Sequence, residues 1–173
     1  MALWSGYRSA IVKGSDGFYY AKDLRQKIRA IVNHATLTAF MPDGSVLNFG
    51  SENDSNVTEQ NTEGKVFAWY LTSAQDQVGH KAEYIWQKFQ VNARAYLTEI
   101  NYGGLQSDFQ YKIALNYTTT GRSFVDFSAT KLVANQKLST LKVQAKDGAD
   151  FVERYHYNFS YSDELETPGF YLT

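Results

Sequence analysis

Phe151-Val-Glu-Arg-Tyr-His-Tyr-Asn-Phe-Ser-Tyr161 is the stretch that decides the fold class. Phe151, Tyr155, Tyr157, Phe159 and Tyr161 fall on odd positions, and Arg154, His156, Asn158 and Ser160 on even ones. A period of two sends successive side chains to opposite faces of a strand, so the stretch reads as a strand with one aromatic and one polar face. Each aromatic buries roughly 150–250 Å² when covered. No other stretch offers so one-sided a surface, and the sequence predicts a sheet with this strand as its spine.

Upstream, Asp147-Gly148 is a hairpin signal into that strand. Before it, Leu141, Val143 and Ala145 alternate along Ser139 to Lys146. Phe109, Tyr111, Ile113, Leu115 and Tyr117 do the same along Phe109 to Tyr117. Thr118-Thr-Thr-Gly121 reads as a turn and Arg122 to Val133 as a further strand. Gly103-Gly104 is the best candidate boundary inside the chain. Nearer the start, Tyr7 to Val12 is a strand and Gly14-Ser-Asp-Gly17 a turn. Leu24 to Val32 suits helix or strand, with strand preferred because the β-branched run Ala35 to Met41 follows at once. Pro42-Asp-Gly44 makes a tight turn. Residues 50–62 form a polar run expected as a long exposed loop. Gly64 to Leu71 is a strand, and Thr72 to Val78 a short helical turn ended by Gly79. His80 to Phe89 and Val91 to Ile100 resume the strand pattern, and the tail from Asp163 has turn chemistry.

The 173 residues are 43% hydrophobic, 20% charged and 16% aromatic, which is globular composition biased toward strands. A net charge of -1 argues against electrostatic binding of nucleic acid. No apolar run reaches membrane-spanning length, and no signal peptide is read at the start, so synthesis in a cytoplasm is expected. With no cysteine there is no disulfide, thiolate nucleophile or cysteine-bound zinc.

No catalytic signature is present. GxSxG, GxGxxG and GxxxxGK[ST] are all absent. His34, His80 and His156 lack ligand spacing and read as structural, so no metal or cofactor is expected. The sequons at Asn53, Asn56, Asn116 and Asn158 read as the residue mix of polar strands and loops. Tyr19, Tyr20, Trp69 and Trp86 are the candidate ligand or partner contacts, because exposed aromatics stack on sugar rings or protein partners. The alternative for each is core packing.

Ala35-Thr-Leu-Thr-Ala-Phe-Met-Pro-Asp-Gly-Ser-Val46 is followed by Gly64-Lys-Val-Phe-Ala-Trp-Tyr-Leu71, Ser73-Ala-Gln-Asp-Gln-Val-Gly79 and Lys81-Ala-Glu-Tyr-Ile-Trp86. This cadence resembles the immunoglobulin-like N-terminal domain of phage baseplate upper proteins over residues 7–100. The resemblance implies a structural virion component that docks other subunits, and it brings no catalytic residues. The chain departs from that family in its short segment before Ala35 and in lacking the long receptor-facing C-terminal part.

The expected fold is all-β, an antiparallel immunoglobulin-like β-sandwich over residues 1–101 and a smaller β unit over 105–173, with the two able to share one core. The expected role is a non-enzymatic structural protein of a phage tail or baseplate. It would be made in the host cytoplasm, reside in the virion and contact other virion subunits, most simply as a homo-oligomer. The alternatives are a glycan-binding β-sandwich and a lipocalin-type ligand barrel.

Overall fold

A computed structural model describes residues 2–4, 7–9, 11–21, 29–33, 35–60, 66–90, 94–126, 132–162 and 171–172. The chain is antiparallel and nearly all β, as the sequence predicts. β1 (Ala2–Trp4) and β2 (Tyr7–Ser9) make a two-stranded ladder. β3 (Ile11–Lys13), β4 (Tyr19–Ala21), β5 (Arg29–Val32), β6 (Thr36–Phe40) and β7 (Val46–Gly50) open the main sheet. The chain then leaves that sheet for a 3-10 turn at Ser55–Val57 and the paired strands β8 (Thr58–Gln60) and β9 (Val66–Trp69). It returns through β10 (Leu71–Gln75), β11 (His80–Gln87), β12 (Tyr96–Leu105), β13 (Tyr111–Asp126), β14 (Leu132–Asp147) and β15 (Asp150–Asn158). β16 (Tyr161–Ser162) and β17 (Tyr171–Leu172) form a last small ladder. Among the described residues the main sheet has 11 strands, and its order from β15 back to β3 is sequential, with β7 beside β10.

Short turns set this meander. Gly44 (φ 79) and Gly148 (φ 66) supply the left-handed residue in the β6–β7 and β14–β15 connections, as the Pro-Asp-Gly and Asp-Gly signals require. Gly103 and Gly104 lie within β12, where β11 pairs past them through Lys81 with Gly104 and His80 with Leu105, while the ladder to β13 ends at Tyr102.

Residues paired across antiparallel strands share a face. One such row runs Thr38, Asn48, Ser73, Glu83, Asn101, Lys112, Gln144 and Glu153 across eight neighbouring strands, and it is polar throughout. The opposite face carries Ala30, Ala39, Leu47, Ala74 and Ala82, and continues through Tyr84, Ile100, Ile113, Val143 and Tyr155. The sheet is thus amphipathic from end to end.

Among the described residues, the buried cluster lies on the first half of the apolar face. Ala30, Leu37 and Ala39 form a buried cluster, with Trp69 of the β8–β9 hairpin packed against it. The hairpin supplies a partial second layer, which gives the protein its sandwich character. No large side chain is fully buried among the described residues.

Four expectations need correction. The aromatic strand is not the spine; β15 is the edge of the sheet, with Tyr155 62% and Tyr157 51% exposed. Its alternation is also broken, because the register slips between Val143 and Gln144. Phe151 therefore pairs with Lys146 on the polar face, and Tyr155 and Tyr157 pair with Val143 and Leu141 on the apolar one. Within residues 50–62, Val57, Thr58 and Glu59 are buried, because this segment is part of the covering layer. Leu71–Gln75 is strand β10 rather than helix, since pairing to both β7 and β11 outweighs the capping signal of Thr72. β13 runs straight through Thr118-Thr-Thr-Gly121, with the irregularity absorbed as a register shift between Thr119 and Phe124.

Candidate functional site

The hairpin is fastened to the sheet by a buried polar network. The Glu59 side chain is 4% exposed and carries a full complement of partners. Tyr70 Oη donates to Glu59 Oε1 at 2.8 Å, the Ala95 backbone N–H reaches the same oxygen at 3.3 Å, and Lys88 Nζ lies 3.2 Å from Oε2. Lys88 Nζ also donates to the Thr58 carbonyl at 2.7 Å, and the Lys88 backbone N–H donates to Asn56 Oδ1 at 3.0 Å. A buried carboxylate is tolerable only when it is paired and hydrogen-bonded in this way. Burial pushes the Tyr70 hydroxyl well above its ordinary pKa, and the adjoining Glu59 adds to that rise.

Tyr70 packs on Trp86 in a tilted pair, with ring centroids 4.6 Å apart and planes at 32°, and Trp86 Nε1 donates to the Leu71 carbonyl at 2.7 Å. Trp86 is therefore held both by ring contact and by hydrogen bond. It lines a cleft of about 330 Å³ together with Gly50, Ser51, Asp54, Val57, Thr72, Tyr84 and Ile85. Three parts of the chain meet there: the end of β7 with the 3-10 turn, β10, and β11. Asp54 Oδ1 caps that turn by accepting from the Asn56 N–H at 2.9 Å.

The four aromatic candidates do not converge. Tyr19 packs against the buried cluster, with Lys13 Nζ 5.9 Å from its ring centroid. The Tyr20 hydroxyl donates to Asp16 Oδ2 at the β3–β4 turn. Trp69 packs against the buried cluster, and its Nε1 is buried without a hydrogen-bond partner. Trp86 alone lines the cleft. Sequence reasoning missed Asp54 and Ser51, because a polar run gives no sign that it folds back over a sheet.

A second feature lies on the other half of the sheet. Tyr111, Val152, Tyr155 and Tyr157 are 45%, 40%, 62% and 51% exposed on the apolar face of β13 and β15. The opposite face of the same strands carries the ion pairs Lys112–Glu99 at 3.1 Å and Lys142–Glu153 at 2.9 Å. Lys142, by its hydrogen bond and its charge, holds the Glu153 carboxyl below the usual carboxylate range.

His80 Nδ1 lies 2.8 Å from Asp76 Oδ2 in the β10–β11 turn, and His156 Nδ1 lies 3.2 Å from Glu153 Oε1. His34 lies outside the described residues. No group of three metal-ligating side chains occurs among the described residues.

No family model and no curated protein matches the chain. Among solved structures, it is similar to the N-terminal domain of effector protein SpvB from Salmonella typhimurium strain LT2. The identity is 7% and the TM-score 0.68, over 94% of this chain and 72% of that one. It is also similar to the TcdB2–TccC3 structure at 10% identity and a TM-score of 0.65, over 92% of this chain but only 11% of that chain. At such identities the likeness is one of fold.

Proposed function

We propose that the chain is a non-enzymatic structural module that works through protein–protein contacts made by the bare half of its sheet. The observation that carries this reading is unspent apolar surface. Tyr111, Val152, Tyr155 and Tyr157 stand side by side on the apolar face of β13 and β15, and each is 40% exposed or more. Contiguous exposed apolar faces of this kind mark places where other protein docks.

The setting we favour is a larger effector-type polypeptide. Its support is that one similar fold is a domain of an effector protein and the other is a small part of a far longer chain. A virion subunit, as the baseplate resemblance implies, is the narrower alternative setting for the same module.

The test is mass in solution by light scattering after size exclusion, across a range of concentrations. The chain by itself is expected to self-associate through the bare face. Tyr155→Asp with Tyr157→Asp is expected to return it to a monomer with unchanged thermal stability. A strict monomer at every concentration, with no binding of a hydrophobic dye, would count decisively against a docking face.

A further inference from the structure

We propose that the cleft beside Trp86 is a binding site for one pyranose-class sugar residue. This proposal is independent of the docking role, because it rests on the covered half of the molecule.

The volume of about 330 Å³ lies at the small end of ligand pockets, which suits a single ring. The lining divides by chemistry. Val57, Ile85 and Trp86 supply apolar surface; Ser51, Asp54 and Thr72 supply hydrogen-bonding groups. A pyranose divides likewise, with a face of C–H groups and a rim of hydroxyls. The aromatic wall is preorganised, since Trp86 rests on Tyr70 and is tied to the Leu71 carbonyl, and Tyr70 is anchored on buried Glu59. Preorganisation of this kind lowers the ordering cost of binding.

The bonds already made by the polar groups narrow the ligand further. Thr72 Oγ1 donates to the Asn48 carbonyl, so toward the cleft it can only accept. Ser51 Oγ accepts from the Asn53 N–H, which leaves its proton to give. Asp54 is the one charged residue among the described lining residues, and its carboxylate only accepts. The occupant must therefore both donate and accept. Sugar hydroxyls do both. An ammonium or guanidinium group only donates and would offer the Ser51 hydroxyl no acceptor of its own. An anion would be repelled by Asp54.

The experiment follows the indole N–H signal of Trp86 in the ¹⁵N-labelled chain during titration with methyl glycosides of glucose, galactose, mannose and N-acetylglucosamine. Arginine methyl ester serves as the cationic counter-probe. At least one glycoside is expected to shift the signal saturably. Asp54→Asn keeps the cap of the 3-10 turn, because Asn caps as well as Asp. It is expected to weaken binding about tenfold, the usual scale for losing one charge-assisted hydrogen bond. Trp86→Phe, read by saturation transfer to the ligand, is expected to weaken it as well. The proposal is overturned if no glycoside shifts the signal, if Asp54→Asn leaves the affinity unchanged, or if the arginine ester binds as well as the best sugar.

Discussion

The two halves of the sheet have the same two-faced construction and opposite fates. From β5 to β11 the apolar face meets the β8–β9 hairpin, with Trp69 over Ala30, Leu37 and Ala39 and the Glu59–Lys88–Tyr70 network behind it. From β12 to β15 the same face ends in half-exposed Tyr111, Tyr155 and Tyr157. The residues themselves do not explain the difference, since the bare half is the more aromatic. What differs is the connection. Between β7 and β10 the chain makes an excursion long enough to fold back over the sheet, whereas Asp147 and Asp150 face each other across the tight β14–β15 turn. Amphipathic strands define a face; only a second layer turns that face into a core.

Substitutions on the two halves should therefore differ most where the side chains are alike. Trp69→Ala removes the centre of the cover and is expected to cost about 3–5 kcal/mol in denaturant unfolding. Tyr155→Ala, equally drastic chemically, is expected to change stability by less than about 0.5 kcal/mol, because its ring is already in water. Equal losses at the two sites would erase the distinction.

The ion pairs sharpen the contrast at the next scale. Lys88→Met removes the ammonium that lies 3.2 Å from the buried Glu59 carboxylate and is expected to cost about 3 kcal/mol. Lys142→Met on the exposed pair with Glu153 is expected to cost no more than about 1 kcal/mol. Chemical denaturation of both variants in one buffer gives the comparison directly.

The division between covered and bare halves was only partly legible in the chain. Alternation along residues 109–117 and 139–146 and the Asp147-Gly148 signal lead directly to β13, β14 and the final hairpin. The aromatic run at 151–161 misled about position, because a period of two reports that a strand is two-faced and not whether anything lies on its apolar face. Its edge location depends on strand order, and its altered alternation on a slip opposite Val143 and Gln144. The polar run at 50–62 hid the covering layer for the converse reason. Glu59 is buried because Tyr70 and Lys88 come to it, and those partners are 11 and 29 positions away. Of the cleft, Trp86 was visible as an aromatic in a strand; Asp54 and Ser51 were not, since their role depends on where the excursion lands.

The smallest effect expected concerns pH, and its sign differs between the two halves. In the covered half, folding buries the Tyr70 hydroxyl and sets it beside Glu59, and both raise its pKa above the ordinary 10.0. The unfolded chain then releases the Tyr70 proton first as pH rises. The stability due to this group is complete below about pH 10 and falls progressively above it. In the bare half, Glu153 has its pKa lowered, first by the hydrogen bond from Lys142. Its contribution is present above the ordinary value of 4.5 and is lost as pH falls below it. Because Glu153 is solvent-exposed, that acid effect is expected to be slight, and Glu153→Gln should leave the acid limb of the stability profile nearly unchanged. Tyr70→Phe preserves the ring on Trp86 while deleting the hydroxyl. It is expected to flatten the decline above pH 10 and to cost about 1–2 kcal/mol at neutral pH, where a hydrogen bond to a charged group is lost. Unfolding free energies measured from pH 3 to 11 on both variants separate the cases. An unchanged alkaline limb in Tyr70→Phe would mean that the network does not hold the hairpin to the sheet in solution.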